Sequence, residues 1–286
     1  MNFVEIQAKI KNLGNYKNLK EIKRDGLRVV YNGKDDSYWL IEKEFLKPII
    51  KSPRECKSIM VKQEELKYKI FMCNKSKAEL KGTNALKYIE WGEKQKTENG
   101  IYWKNVPSVS GRKYWYGLGE RSMCSFIVPC SFGDSYKIYK NSNVLVDKRM
   151  YEGYCKNNLI ISLLNSILFP LFMDLGSRVG LGEGLLDVTV EEVQKIKIVN
   201  PELLKNNGQI LPKREIGTVF QECGIDPESK IPIEQQEPKP LPDRKELDDI
   251  VFDALGLTEE ERKDVYRGVC RLVWNRISKA KSLKKR

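Results

Sequence analysis

Cys124-Ser-Phe-Ile-Val128, Ser135-Tyr-Lys-Ile-Tyr-Lys140 and Asn143-Val-Leu-Val146 follow one another closely, each rich in aromatic or β-branched residues and bounded by Gly, Pro, Asn or Asp. Branched and aromatic side chains fit a pleated surface, and the bounding residues turn the chain, so these runs read as short strands. The polar pair Asn141-Ser142 separates the last two, as an antiparallel connection requires. Lys113-Tyr-Trp-Tyr116 reads the same way. Working outward, Ser76 to Glu90 and Leu159 to Leu175 have the texture of helices. The expected class is therefore α+β: an antiparallel or mixed sheet with helices packed at its side.

Farther along, Ile231-Pro-Ile-Glu-Gln-Gln-Glu-Pro-Lys-Pro-Leu-Pro-Asp243 holds four prolines in thirteen residues. Proline removes backbone donors and favours extended geometry, so this stretch reads as a linker. Beyond it, Leu247, Ile250, Val251, Ala254 and Leu255 recur at helical spacing and Gly256 supplies the stop. Thr258 and Glu261 then form a T-x-x-E capping box ahead of an apolar stripe of Val265, Val269, Leu272, Val273 and Ile277. Two helices cannot bury two such stripes against each other alone, so they are expected to dock on the main domain or on a partner chain. The resulting division is 1–232 for the main domain, 233–245 for the linker and 246–286 for a helical element.

The chain of 286 residues carries 51 Lys+Arg against 39 Asp+Glu, a net charge of +12, and the excess is regional. Residues 1 to 160 hold 31 bases and 18 acids, whereas 161 to 245 hold 10 and 13. A polyanion is drawn to the first part, and nucleic acid is the commonest one, since Lys and Arg release its counterions. The alternative is a basic surface that is merely solvated. Six bases in the last eleven residues read as a frayed helix end.

Several chemistries fall away. There is no histidine, which removes His-dependent triads, HExxH sites and most zinc sites, and the seven cysteines include no C-x-x-C pair. No signal peptide opens the chain, and Leu159 to Leu175, broken by Asn165, Pro170 and Asp174, falls short of the roughly 20 apolar residues of a membrane span. A cytoplasmic protein with reduced cysteines and no membrane partner is expected. Val179-Gly-Leu-Gly-Glu-Gly184 superficially resembles a cofactor loop, but a helix precedes it where a strand should, so it reads as a tight connection into a helix start at Thr189-Val-Glu-Glu192. Asn200-Pro201 lacks the second proline and the aromatic of Asn-Pro-Pro-Tyr and reads as a strand end (Ile196, Ile198, Val199) entering a helix with Pro in its first turn. The Glu-x-Lys triplets at Glu21, Glu65 and Glu79 are expected by chance in so Glu- and Lys-rich a chain.

One stretch keeps a functional reading. Ser110-Gly-Arg-Lys-Tyr-Trp-Tyr-Gly117, with Arg121 close behind, interleaves cations and aromatics. Guanidinium groups can reach base edges or phosphates while an aromatic stacks; alternatively the aromatics alternate into a core and the cations are solvated.

Tyr38-Trp-Leu-Ile-Glu-Lys-Glu-Phe-Leu-Lys-Pro-Ile-Ile-Lys-Ser-Pro-Arg-Glu55, Tyr88-Ile-Glu-Trp-Gly-Glu93, Gly111-Arg-Lys-Tyr-Trp-Tyr116, Val146-Asp-Lys-Arg-Met-Tyr151 and Leu163-Leu-Asn-Ser166 resemble, in this order, the C-terminal part of adenine-specific N6 DNA methyltransferases of restriction-modification systems. Leu247-Asp-Asp-Ile-Val-Phe-Asp-Ala-Leu-Gly-Leu-Thr-Glu-Glu-Glu-Arg-Lys-Asp-Val-Tyr266, with Asn275-Arg-Ile-Ser-Lys-Ala-Lys281, is similar to the tail of many of them. In that family this region is the target recognition domain, similar to those of type I specificity subunits, and it reads double-stranded DNA. The resemblance implies DNA contacts by Arg112, Lys113, Arg121, Lys148 and Arg149, with Trp115 and Tyr116 packing or stacking. It also implies no catalytic residue and no cofactor in this chain. S-adenosylmethionine and Asn-Pro-Pro-Tyr belong to a catalytic domain or subunit, the expected partner. Two other readings stay open: an assembly subunit that binds a methyltransferase or translocase through its C-terminal helices, and an intact methyltransferase with a divergent site.

Overall fold

The computed structural model describes residues 3–179, 184–204 and 210–284. The chain forms two compact units, Met1–Ile49 with Tyr68–Ser122, and Ile50–Lys67 with Met123–Arg286. Each is a mixture of helices and small antiparallel sheets, the α+β class the strand and helix signals imply.

In the first unit, α1 (Phe3–Ile6) and α2 (Leu19–Arg24) precede a hairpin of β1 (Leu27–Asn32) and β2 (Ser37–Glu42). Its register runs from Leu27 opposite Glu42 to Asn32 opposite Ser37. β3 (Leu46–Ile50) pairs antiparallel with β4 (Tyr68–Phe71). α3 (Asn84–Glu93) lies over an aromatic core of Trp39, Phe45, Phe71, Tyr88 and Trp91. This helix starts eight residues later than Ser76, because Gly82 adopts φ +86 and Thr83 caps the first turn. Glu42 adds its carboxylate to the first-turn amides of Asn84 (2.7 Å) and Ala85 (2.9 Å), which have no partner within the helix and where the helix dipole favours negative charge. α4 (Pro107–Ser110) closes the order.

The expected strand Lys113–Tyr116 is instead a turn, closed by Gly117 N–H donating to Tyr114 O at 2.9 Å. The alternation of polar and aromatic residues is met by folding the ring of Trp115 back onto α3, not by a ladder.

In the second unit β5 (Phe126–Pro129) is flanked by β7 (Tyr139–Lys140) and β9 (Met150–Gly153), both antiparallel, while β6 (Ser131–Phe132) continues the chain into a separate small sheet. β8 (Leu145–Val146) precedes β9. The expected strand over Ser135–Lys140 survives only in its last two residues. Asn165 takes the backbone of Ile138, accepting its N–H at 3.0 Å and donating to its O at 2.9 Å, so a side chain replaces the neighbouring strand there.

The same asparagine breaks the long apolar helix. Leu159 to Leu175 forms α5 (Leu159–Leu163) and α6 (Leu168–Gly176), with Asn165 and Ser166 in the bend. β10 (Arg178–Val179), β11 (Leu186–Asp187) and β6 make the second sheet, and α7 (Val190–Gln194) begins at a Thr189/Glu192 capping box, as its sequence implies. No strand forms over Ile196–Val199, and Pro201 opens a single 3-10 turn with Asn200 as its cap.

The C-terminal half of this unit wraps around α8 (Val219–Cys223). The proline-rich segment runs along its end: Lys239 N–H donates to Cys223 O at 2.9 Å and Leu241 N–H to Glu222 O at 3.1 Å. Gly224, at φ +62, lies so close to Lys239 that an added Cβ would sit 2.2 Å from its carbonyl oxygen. α9 (Pro242–Leu255) ends at Gly256 in the left-handed region, and the Thr258/Glu261 box starts α10 (Glu259–Lys284). The stripe of α10 docks on its own chain. Val269 and Val273 are fully buried with Phe132, Phe169, Phe220 and Phe252, while Val265 and Ile277 pack at the edge. Arg276 is no part of a solvated tail: it is buried, paired with Asp174 at 2.9 Å, and donates to Gly133 O, Gly184 O and Tyr136 Oη.

Between α8 and α9 runs a chain of charges, buried at Glu222, Arg244 and Asp248 and half-buried at Arg214 and Asp243. Arg214 forks onto both oxygens of Glu222 at 2.7 and 2.8 Å and reaches Asp243 at 2.8 Å. Arg244 lies 3.4 Å from Glu222 and 3.6 Å from Asp248. Asp248 accepts Ile167 N–H at 2.7 Å and the Tyr266 hydroxyl at 3.1 Å. Paired and hydrogen-bonded in this way, Glu222, Arg244 and Asp248 are satisfied out of water.

Candidate functional site

In the first unit the turn after α4 and the strandless stretch beyond it enclose an open concavity of about 460 Å³. Arg112, Lys113 and Arg121 line it together, with Tyr114, Glu120 and Asn74, so three cations of one short stretch of sequence share one surface. All three are exposed. Arg112 donates to Gly117 O at 3.2 Å, which closes the turn, and Lys113 Nζ lies 5.4 Å from the centroid of the Tyr114 ring.

The wall of the concavity is held by hydrogen bonds and close packing. Asn74 clamps Gly119, donating to its O at 3.1 Å and accepting its N–H at 3.2 Å. Gly117 is buried against the same side chain: a Cβ there would stand 3.0 Å from Asn74 Oδ1 and 3.2 Å from Cys73 O, so a larger residue would have to push them back. Neither Asn74 nor the two glycines has a sequence signal, since their partner segments lie some forty residues apart.

Trp115 and Tyr116 do not line the concavity; they hold it from behind. The Trp115 indole N–H donates to Glu93 at 3.3 Å, and its ring edge fills the space over Gly92, where a Cβ would be 2.8 Å away. Tyr116 donates to Lys75 O at 2.9 Å and lies parallel to Tyr114 with ring centroids 5.5 Å apart. Burial pushes the Tyr116 hydroxyl up to about 12, so it is a neutral donor at physiological pH.

Lys148 and Arg149 belong to the second unit. They are exposed on the turn between β8 and β9, where Asp147 accepts Arg149 N–H at 3.2 Å and Met150 N–H donates to Asp147 O at 3.0 Å. Their side chains form no ion pair among the described residues.

The other motifs have structural uses. Glu21 accepts Lys17 N–H at 2.9 Å, Glu79 accepts Ser76 N–H at 2.7 Å and Glu65 pairs with Lys62 at 3.3 Å, so the triplet carboxylates cap turns or meet neighbouring lysines. Residues 180–183 of the glycine-rich stretch lie outside the described residues. Gly184 packs against α10, a Cβ there meeting Ala280 at 3.0 Å. Among the described residues no group of Cys, Asp and Glu is placed to hold a metal ion, and no helix is long and apolar enough to cross a membrane.

No protein-family model matches the sequence, and no curated protein matches it. Among solved structures, the chain is similar to the type IIG restriction endonuclease BpuSI, with a TM-score of 0.52 at 12% identity. The match covers 94% of this chain and 29% of the endonuclease, so this fold spans less than a third of that protein. At that identity the likeness is one of fold.

Proposed function

We propose that this chain is the target recognition module of a restriction-modification adenine methyltransferase: it selects the site on double-stranded DNA and leaves methyl transfer to a catalytic domain or subunit. The observation that carries this reading is the convergence of Arg112, Lys113 and Arg121 on one exposed concavity with a clamped wall. Guanidinium and ammonium groups held on a rigid loop are suited to phosphates and to the acceptor edges of guanine, and a fixed wall lowers the entropy lost on binding. The basic excess of residues 1 to 160 would draw a duplex to the chain, and the fold it has in common with part of a restriction endonuclease supports the same setting. Lys148 and Arg149 would add contacts from the second unit. S-adenosylmethionine and Asn-Pro-Pro-Tyr would reside in the partner. The C-terminal stripe, buried in its own unit, gives the assembly-subunit reading no free apolar surface at Val269 or Val273.

The test is duplex binding by the purified chain as a function of salt. R112Q, K113Q and R121Q are each expected to weaken binding. A variant that no longer neutralises a phosphate lowers the slope of log K against log salt by about 0.9 for all sequences, whereas one that can no longer bond a base edge in bidentate fashion costs about 1 to 3 kcal/mol at one position of the site. Wild-type protein that fails to bind any duplex at low ionic strength, even with a complementing catalytic subunit, overturns the proposal.

A further inference from the structure

The second unit gathers a set of cations that the order of residues conceals. Asp147 N–H donates to Ile50 O at 3.0 Å, which sets the Asp147–Arg149 turn beside the start of the segment Ile50–Lys67. That segment is folded back on itself by Glu55. One carboxylate oxygen accepts the amides of Lys51 (2.8 Å) and Ser52 (3.1 Å), and the other accepts the amide of Lys67 (3.3 Å), so its two ends meet at one point. The turn Pro53–Glu55 between them is pinned by the buried Tyr139, whose hydroxyl donates to Pro53 O at 2.9 Å.

Arg54, Lys67, Lys148 and Arg149 are thereby brought to one neighbourhood, all exposed and none in an ion pair among the described residues. The nearby acids are otherwise engaged: Glu55 with three amides, Asp147 with Arg149 N–H, and Glu65 with Lys62, leaving Glu64 on the adjoining turn. Cations whose neighbouring carboxylates are bonded elsewhere keep their hydrogen-bonding capacity for an external anion.

We infer that Arg54, Lys67, Lys148 and Arg149 form a second surface for the phosphate backbone of duplex DNA, in a different unit from the concavity that would choose the site. It rests on the reading of the chain as a DNA recognition module and adds Arg54 and Lys67 to its contacts. Arg54, Lys148 and Arg149 lie on short turns and Lys67 just before β4, and exposed cations of this kind suit a regular array of phosphates, so this surface would position the duplex without reading it.

The test compares the full-length chain with R54Q/K67Q/K148Q/R149Q on a fluorescein-labelled duplex of mixed sequence across a salt series. All four side chains are exposed, and an unchanged thermal midpoint shows that the variant folds. Affinity is expected to fall equally for all sequences, with the salt slope reduced by about 0.9 for each phosphate no longer neutralised, up to about 3.6 for all four. In the wild type, added duplex is expected to protect Lys67 and Lys148 from acetylation. A quadruple variant with wild-type affinity and slope, beside R112Q/K113Q/R121Q that fails to bind, overturns this inference and leaves the proposed function standing. Protection of the two lysines by phosphatidylglycerol vesicles and not by duplex overturns it as well. Wild-type protein that binds no duplex overturns both.

Discussion

Trp115 shows how an apparently functional side chain acts from behind a site. Its indole is committed to Glu93 and to the space over Gly92, and the turn it anchors carries Arg112 and Lys113 to the concavity. Gly92→Ala places a Cβ 2.8 Å from the Trp115 ring, an overlap that must be relieved by moving the ring or α3. Overpacking of this kind costs about 1 to 3 kcal/mol. Gly92→Ala is expected to lower the urea midpoint and change the near-ultraviolet circular dichroism of the tryptophans, and with the turn displaced, duplex affinity should fall although no cation has been removed. Unchanged duplex affinity in a protein with an altered tryptophan spectrum would separate the indole from the site. Interleaved cations and aromatics were legible as a candidate in the sequence. Which of them face outward was not, because that depends on a contact with α3, some twenty residues away.

At the scale of elements, the capping boxes at Thr189 and Thr258 and the stop at Gly256 were legible because caps obey local rules: an orphan amide or a left-handed residue is settled within one turn of helix. The break between α5 and α6 was not, since its cause is the bonding of Asn165 to Ile138 across the unit. Arg276 is a further case, a base in a run of bases that is buried at 7% exposure against Asp174 of α6. Removing one member of a buried pair leaves the other uncompensated, at a cost of about 3 to 5 kcal/mol. Arg276→Ala is expected to show that loss in equilibrium urea unfolding. Arg276→Met with Asp174→Leu should recover part of it, because no lone charge is then buried. A loss under 1 kcal/mol for Arg276→Ala, the range of an exposed pair, would contradict its burial.

At the scale of the whole molecule, the absence of histidine makes the pH dependence of stability readable. Burial raises the Asp248 carboxyl to about 6, against the opposing pull of Arg244, Ile167 N–H and Tyr266. A carboxyl raised in the folded state favours folding at pH values below its unfolded pKa, and that contribution is lost as pH rises through about 6. For Glu222 burial also opposes ionisation, but Arg214, Gly217 N–H and Arg244 outweigh it and hold the carboxyl below the usual range. Its contribution is present at neutral pH and lost only at more acid values. Stability is therefore expected to rise as pH falls from 7 toward 5 and to fall again below about 4. Asp248→Asn, which keeps an acceptor for Ile167 N–H, should abolish the rise and leave the acid limb. A wild-type urea midpoint that is flat between pH 5 and 7 would refute this assignment.

Properties that depend on neighbours in sequence were set by the chain alone: the α+β class, the helix starts and stops near the C-terminus, the lack of histidine chemistry, and a basic first half. Each follows from backbone geometry within a turn or two, or from simple addition of charges. Properties that depend on closing long loops emerged only on folding. Ile50–Lys67 leaves the first unit's stretch of chain to join residues beyond 122, Asn165 takes the place of a strand, Arg276 turns from tail to core, and Asn74 clamps Gly119 in the wall of the concavity. These arrangements are stabilised by side chains meeting across tens to more than a hundred residues, and the spacing of residues along one segment carries no record of a partner that far away.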